Sequence, residues 1–239
     1  DLHKQHEELN LFIEWYLCKH LKISEDTIRD YKFYECCDML LNQIQKIPTS
    51  FIHRDYHSRN LMHMNNGNPG VLDYQDAQIG PITYDLVSLL KDCYISWDQK
   101  IIDSMIKTFY QRNSTNNVSL DEFEYWFDIT GLQRHLKAIG IFSRLFYRDG
   151  KENYLNDIPR TQKYVNEVLN KYTELKYMKE TFSSLKSNKK AKIINNKLDI
   201  FDLINKDLNN NDYLMMKGSN STGLHKITNN LKQRVYNAI

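Results

Sequence analysis

Apolar residues recur at helical spacing along most of this chain and lose that rhythm between residues 51 and 73. Leu9, Phe12, Ile13, Tyr16 and Leu17 mark one face of a helix over residues 2–20. Ser24 ahead of Glu25 and Asp26 is a helix start, with a capping oxygen and two acids at the positive end of the dipole. Ile28, Tyr31, Cys36, Met39, Leu40 and Ile44 then carry an apolar face until Pro48 stops it. Helices resume near Thr83, with Leu86, Val87, Leu89, Leu90 and Cys93 on one side, and others are predicted over about 97–111, 130–147 and 159–172. Ser119-Leu-Asp-Glu122 forms a capping box ahead of Phe123, Trp126 and Phe127.

Between 51 and 73 the apolar runs are short: Phe51-Ile52, Leu61 to Met64, and Val71-Leu72. Asn65-Asn66-Gly67-Asn68-Pro69 parts the last two with strong turn chemistry, so a small β element with two polar loops is predicted. After about residue 178 the text becomes rich in Lys and Asn. A strand at Ala191–Ile194, a helix at Leu198–Leu208, a strand at Tyr213–Met216 and a final helix are predicted there. The expected architecture is mainly α with a small β element over 1–178, followed by a short β-α-β-α tail over 179–239.

Composition narrows the function classes. A hydrophobic content of 41% with 12% aromatics supplies a sizeable core, and only 4 Pro and 8 Gly speak against a turn-rich all-β fold. The net charge is +2, with 10 Lys/Arg against 5 Asp/Glu in residues 180–239 and 22 against 25 before them. Because the tail's lysines are scattered among apolar residues, no nucleic-acid partner is expected. No apolar run is long enough to span a membrane, so no membrane partner is expected either. Cys18, Cys36, Cys37 and Cys93 show no CxxC or Cys/His metal spacing and read as thiols of a reducing compartment, which predicts a cytoplasmic protein.

The polar interruption "FIHRDYHSRNLM", residues 51–62, carries the chemistry. His53-Arg54-Asp55-Tyr56-His57-Ser58-Arg59-Asn60 fits H-R-D-x-x-x-x-N, and Asp73 stands thirteen residues after Asn60, directly after an apolar strand. Phosphoryl transfer from a nucleotide needs a carboxylate to accept the proton of the attacking hydroxyl, which suits Asp55. It also needs oxygen ligands for Mg²⁺, which suit Asn60 and Asp73. His, Asp, Asn and a later Asp at fixed offsets arise by chance about once in 10⁵ start positions, taking twenty equally frequent residues. Other polar residues stay open. His57 and Arg59 could touch phosphate or sugar, or form a structural salt bridge. Arg134 and His135 suit a surface or interhelical role; Asp92 and Tyr94 suit a sugar site, and Tyr94 also fits the core pattern.

"HRDYHSRNLM", "GVLDYQDAQIGPITYDLVSLLKDCYISW" and "GLQRHLKAIGIFSRLFYRDGKENYLNDIPR" together resemble the aminoglycoside/choline phosphotransferase-like kinases, over about residues 8–175. Within that family the chain is most similar to the anomeric kinases of N-acetylmuramate and N-acetylglucosamine. The resemblance implies a protein-kinase-like C-terminal lobe, with Asp55 as base and Asn60 and Asp73 as Mg²⁺ ligands for ATP. It further implies that His53 and Asp85 brace the catalytic loop. Asp73-Tyr74-Gln75-Asp76 replaces the D-F-G of protein kinases, and Asp76 would then face the substrate.

A kinase of this kind also needs a lobe to hold the nucleotide. Residues 1–47 read as two helices, so the chain, which starts at Asp1, is expected to be a truncated kinase. Alone it would bind ATP weakly or not at all, and a separately encoded N-lobe is one expected partner. The tail "NNNDYLMMKGSNSTGLHKITNNLK" resembles the C-terminal end of the Mur ligase that adds D-alanyl-D-alanine to the UDP-muramoyl tripeptide. Leu224 stands where a phosphate-binding loop would need Lys, so "GSNSTG" reads as a turn. Both resemblances point to peptidoglycan precursors. The expected function is phosphoryl transfer from ATP to a hydroxyl of a cell-wall amino sugar, at the anomeric position. The alternatives are a kinase of another small alcohol, such as an aminoglycoside or choline, and a non-catalytic fusion remnant.

Overall fold

The π-helical turn that begins at Phe12 lies where two helices cross almost backbone to backbone. In a computed structural model, which describes residues 2–113 and 118–187, α1 (Leu2–Leu11) passes directly into a π-helical stretch, Phe12–His20. Both pack on α6 (Leu120–Tyr147), a 28-residue helix at the centre of the described residues. A Cβ on Gly140 of α6 would lie 2.4 Å from the Leu11 carbonyl carbon and 2.5 Å from the Phe12 nitrogen, so only glycine allows the approach. From Ile129 to Leu136 every residue of α6 is buried, as a helix wrapped by neighbours on all sides must be.

The capping signals act as the sequence predicts. Ser24 Oγ accepts the Thr27 amide at 3.2 Å and opens α2 (Glu25–Asp30). Ser119 Oγ accepts the Glu122 amide at 3.1 Å and opens α6. Two expectations are corrected. The apolar face of residues 28–44 belongs to two helices, because Lys32 takes a left-handed conformation (φ +54°) and restarts the chain as α3 (Phe33–Ile44). The capping box at Ser119 and the helix expected over 130–147 are one continuous element, since burial on every side, by apolar and polar partners, carries the helix through Gly131.

The β element is smaller than predicted and is split. β1 (Thr49–Ile52) pairs antiparallel with β4 (Gln78–Pro81), a strand without alternating sequence signal. β2 (Leu61–Met62) pairs with β3 (Gly70–Val71). The predicted turn joins β2 to β3, with Gly67 at φ +73° and the Asn68 side chain bonded to both the amide and the carbonyl of Met64.

α4 (Tyr84–Leu90), α5 (Gln99–Asn113), α7 (Ile158–Lys171) and α8 (Lys176–Ser187) complete the described α-helices. The larger core gathers Phe12, Leu17, Phe33, Leu41, Leu132 and Ile139; a smaller one joins Val87, Ile102, Ile106 and Phe127. α8 runs through position 178 and buries Met178, Phe182 and Leu185 in the larger core. The tail elements expected from residue 191 onward, with the ligase-like segment, lie outside the described residues. No helix among the described residues is long and apolar enough to cross a membrane.

Candidate active site

β1 delivers the chain to His53 and the bend that follows is held by one carboxylate. Asp85, in the first turn of α4, accepts the His53 amide at 2.6 Å through Oδ2 and the Arg54 amide at 2.9 Å through Oδ1. Arg54 is left-handed (φ +76°), which a side chain tolerates only when its surroundings over-determine it. Asp55 follows at once. Its carbonyl accepts the His57 amide and the Asn60 side-chain amide, each at 3.0 Å. Farther on, the buried Asp92 accepts the amides of Ser58 (2.8 Å) and Tyr94 (2.7 Å), capping the 3₁₀ turn Ser58–Asn60. The Asn60 carbonyl accepts the Leu72 amide at 2.9 Å, which seats Asp73 one residue beyond a contact with the loop. Asp73 is exposed and also left-handed (φ +64°).

A second network ties the loop to the helices. Glu8 of α1 pairs with Arg54 Nη2, with Lys137 Nζ at 3.2 Å and with Gln133 Nε2 at 2.9 Å. Burial pushes the Glu8 carboxyl upward, but Lys137, Gln133 and Arg54 outweigh it and hold its pKa below the ordinary value. Lys137 also donates to Tyr84 Oη at 3.1 Å.

A pocket opens beside Asp55, lined by His57, Tyr94, Arg134, Lys137 and Phe142 among others. His57 lies edge-on to Tyr94 at 5.1 Å; burial and then the nearby Arg134 push its pKa down, so its imidazole is neutral near pH 7. Arg59 stacks on the Tyr94 ring at 3.6 Å and reaches Asp157 at 3.9 Å.

Among the residues singled out from sequence, Asp55, Asn60 and Asp73 share this loop region, and Asp85 touches it through the backbone. His53 is held by its amide; both its ring nitrogens lack a hydrogen-bond partner among the described residues. Asp76 is exposed on the β3–β4 connection. The surface alternative for Arg134 and His135 is corrected: both are buried in α6. Asp92 is bonded to the backbone of two loops. Glu8 and Lys137 escaped the sequence reading, and Arg54 entered it only as part of the motif, without a role. For Lys137 a signal existed, since a cation within the otherwise apolar stretch Leu136–Phe142 must find a partner.

Mg²⁺ takes hard oxygen donors, and the Asn60 and Asp73 side chains offer them. The Asn60 nitrogen is already committed to the Asp55 carbonyl, so its Oδ1 is the uncommitted end. Among the described residues no group of three His, Cys, Asp or Glu side chains could enclose a metal. An ion at Asn60 and Asp73 would therefore complete its shell with water and phosphate oxygens.

Residues 4–123 match the Phosphotransferase enzyme family (APH). The N-acetylmuramate/N-acetylglucosamine kinase of Neisseria meningitidis serogroup B is 42% identical over 173 residues, covering 70% of this chain and 51% of the relative. The protein of the same description from Pseudomonas aeruginosa is 38% identical over 188 residues, covering 77% and 55%. That from Caulobacter vibrioides is 32% identical over 124 residues, covering 49% and 33%. The chain spans about half the length of the first two. With a family match over half of its length and the loop His53–Asn60 inside the matched segment, the chain belongs to the phosphotransferase enzyme family.

Proposed function

We propose that this chain takes part in phosphoryl transfer from ATP to a hydroxyl of an amino sugar, at the anomeric position. The observation that carries the proposal is the fixing of Asp55 from both sides, by Asp85 on the amides before it and by Asn60 on its own carbonyl. A carboxylate so positioned orients an acceptor hydroxyl and takes its proton as the oxygen attacks phosphorus. Asn60 and Asp73 would hold Mg²⁺, which when bound offsets charge on the transferring phosphoryl oxygens. Asp85 supports the loop directly and His53 through its amide; Asp76, on the exposed connection, would contact substrate.

The names of the relatives supply the acceptor class, N-acetylmuramate and N-acetylglucosamine. Phosphorylating such a sugar would return it to peptidoglycan precursors, as cell-wall recycling in the cytoplasm requires. The free thiols Cys18, Cys36, Cys37 and Cys93 suit that reducing compartment. The nucleotide also needs a second lobe, in the same or a separate chain. The exposed apolar side chains Phe51, Ile79, Tyr74 and Leu72 offer a surface for it.

ATP consumption with Mg²⁺ over a panel of amino sugars, aminoglycosides and choline tests the proposal. It is run with this chain alone and with a nucleotide lobe co-expressed. Sugar-dependent turnover that falls at least about 100-fold in Asp55→Ala is expected. Isothermal titration with MgATP is expected to show weak binding to the chain alone. Absence of turnover with every acceptor and every lobe sinks the proposal in favour of a non-catalytic fragment.

A further inference from the structure

Two cations stand one turn apart on α6, Arg134 and Lys137, and both line the pocket beside Asp55. Their charges are balanced differently. Lys137 is paired with the Glu8 carboxylate at 3.2 Å and bonded to Tyr84 Oη. Arg134 is 6% exposed, and among the described residues its one hydrogen-bond partner is Cys93 Sγ at 3.7 Å. A thiol is a weak acceptor, whereas a guanidinium offers five donors. Asp92 acts on Arg134 from a distance, but its two oxygens are committed to the amides of Ser58 and Tyr94. No carboxylate lies within ion-pair distance of Arg134 among the described residues. A buried cation left in this way is costly unless an anion completes it.

Resting on the amino-sugar reading above, we infer that Arg134 is a specificity-determining residue that binds a carboxylate carried by the acceptor. The guanidinium is a planar fork that matches a carboxylate with two parallel hydrogen bonds. The pocket also determines which reactant brings the anion. Asp55 lines it, whereas Asn60 and Asp73, the residues assigned to the metal and so to the nucleotide phosphates, do not. An acceptor with its hydroxyl at Asp55 therefore extends its other substituents toward Arg134. Tyr94 and Phe142 add aromatic surface to the same pocket for a sugar ring. Cationic alcohols such as choline or an aminoglycoside would meet the unpaired charge of Arg134 there instead.

The test is equilibrium binding of the full chain to N-acetylmuramate, whose lactyl ether ends in a carboxylate, and to its neutral carboxamide. N-acetylglucosamine, which has no lactyl group, is the third probe, and inorganic phosphate alone is the fourth. The wild type is expected to bind the carboxylate sugar about tenfold more tightly than the carboxamide, the gain typical of a charge-assisted pair. In Arg134→Met that ratio falls to about one, and in Arg134→Lys it lies between. Equal affinity for carboxylate and carboxamide in the wild type overturns the inference, and this comparison needs no variant to fold. A preference that survives in a folded Arg134→Met overturns it as well. Phosphate binding that depends on Arg134, with no preference between the two sugars, assigns the subsite to phosphate and overturns it too. Binding of none of the three sugars overturns the amino-sugar reading and the subsite together.

Discussion

Glu8 and Arg54, 46 positions apart, form an ion pair between the first helix and the loop residue directly before Asp55. Both side chains are about nine-tenths buried, at 12% and 10% exposure, and Lys137 shares the same carboxylate oxygen. Removing the carboxylate leaves two buried cations without their counter-ion. Glu8→Ala is therefore expected to cost about 3 kcal/mol by chemical denaturation, more than deletion of a surface ion pair would.

The same carboxyl sets an acid limit. Its folded-state pKa is depressed, so its stabilisation is complete above the ordinary carboxylate value of 4.5 and is lost as pH falls through the folded value. Between pH 5 and 3 the wild type is expected to lose stability more steeply than Glu8→Gln, measured by denaturation midpoints across that range.

Asp85→Ala removes the acceptor of two consecutive amides at a left-handed residue. Hydrogen exchange is expected to show the His53 and Arg54 amides losing protection while the amides of α6 keep theirs. If the proposed transfer holds, turnover falls by about 100-fold, the scale of a small misplacement of a reacting group.

His135 Nε2 donates to the Lys91 carbonyl at 2.8 Å, and burial together with Arg134 pushes its pKa down to about 3. A depressed histidine contributes stability that is complete above its ordinary 6.5 and declines as pH falls toward the folded value, because the unfolded chain takes the proton first. The slope from this one group is at most about 1.4 kcal/mol per pH unit. Replacing it in His135→Gln is expected to flatten the stability profile between pH 6 and 4.

Gly140→Ala places a methyl 2.4–2.6 Å from the backbone of Leu11 and Phe12, atoms that no side-chain rotation can move. The helices must separate, and a loss of about 1–3 kcal/mol is expected in thermal or chemical denaturation. An unchanged midpoint would mean that the crossing is looser than the structure shows.

Much of the local structure was legible because its causes lie within a few residues. Ser24 and Ser119 cap helices by accepting amides three positions ahead, the Asn65–Pro69 turn closes its own hairpin, and helical spacing marked α1, α5 and α7. Spacing also placed Asp55, Asn60 and Asp73 in one motif. What periodicity could not reveal was β4, whose pairing with β1 depends on a partner 26 residues or more away, or the fusion of two expected helices into α6.

The sequence by itself thus determined the helical class, the caps and the order of polar groups in the loop, because capping and amphipathic spacing act over one or two turns. Only the tertiary structure decided which charge answers which. Glu8 reaches Arg54 and Lys137, Asp92 is committed to two amides, and Arg134 is left with a thiol. Such partnerships depend on how helices from distant parts of the chain stack on α6, and burial is what makes each of those charges require a partner.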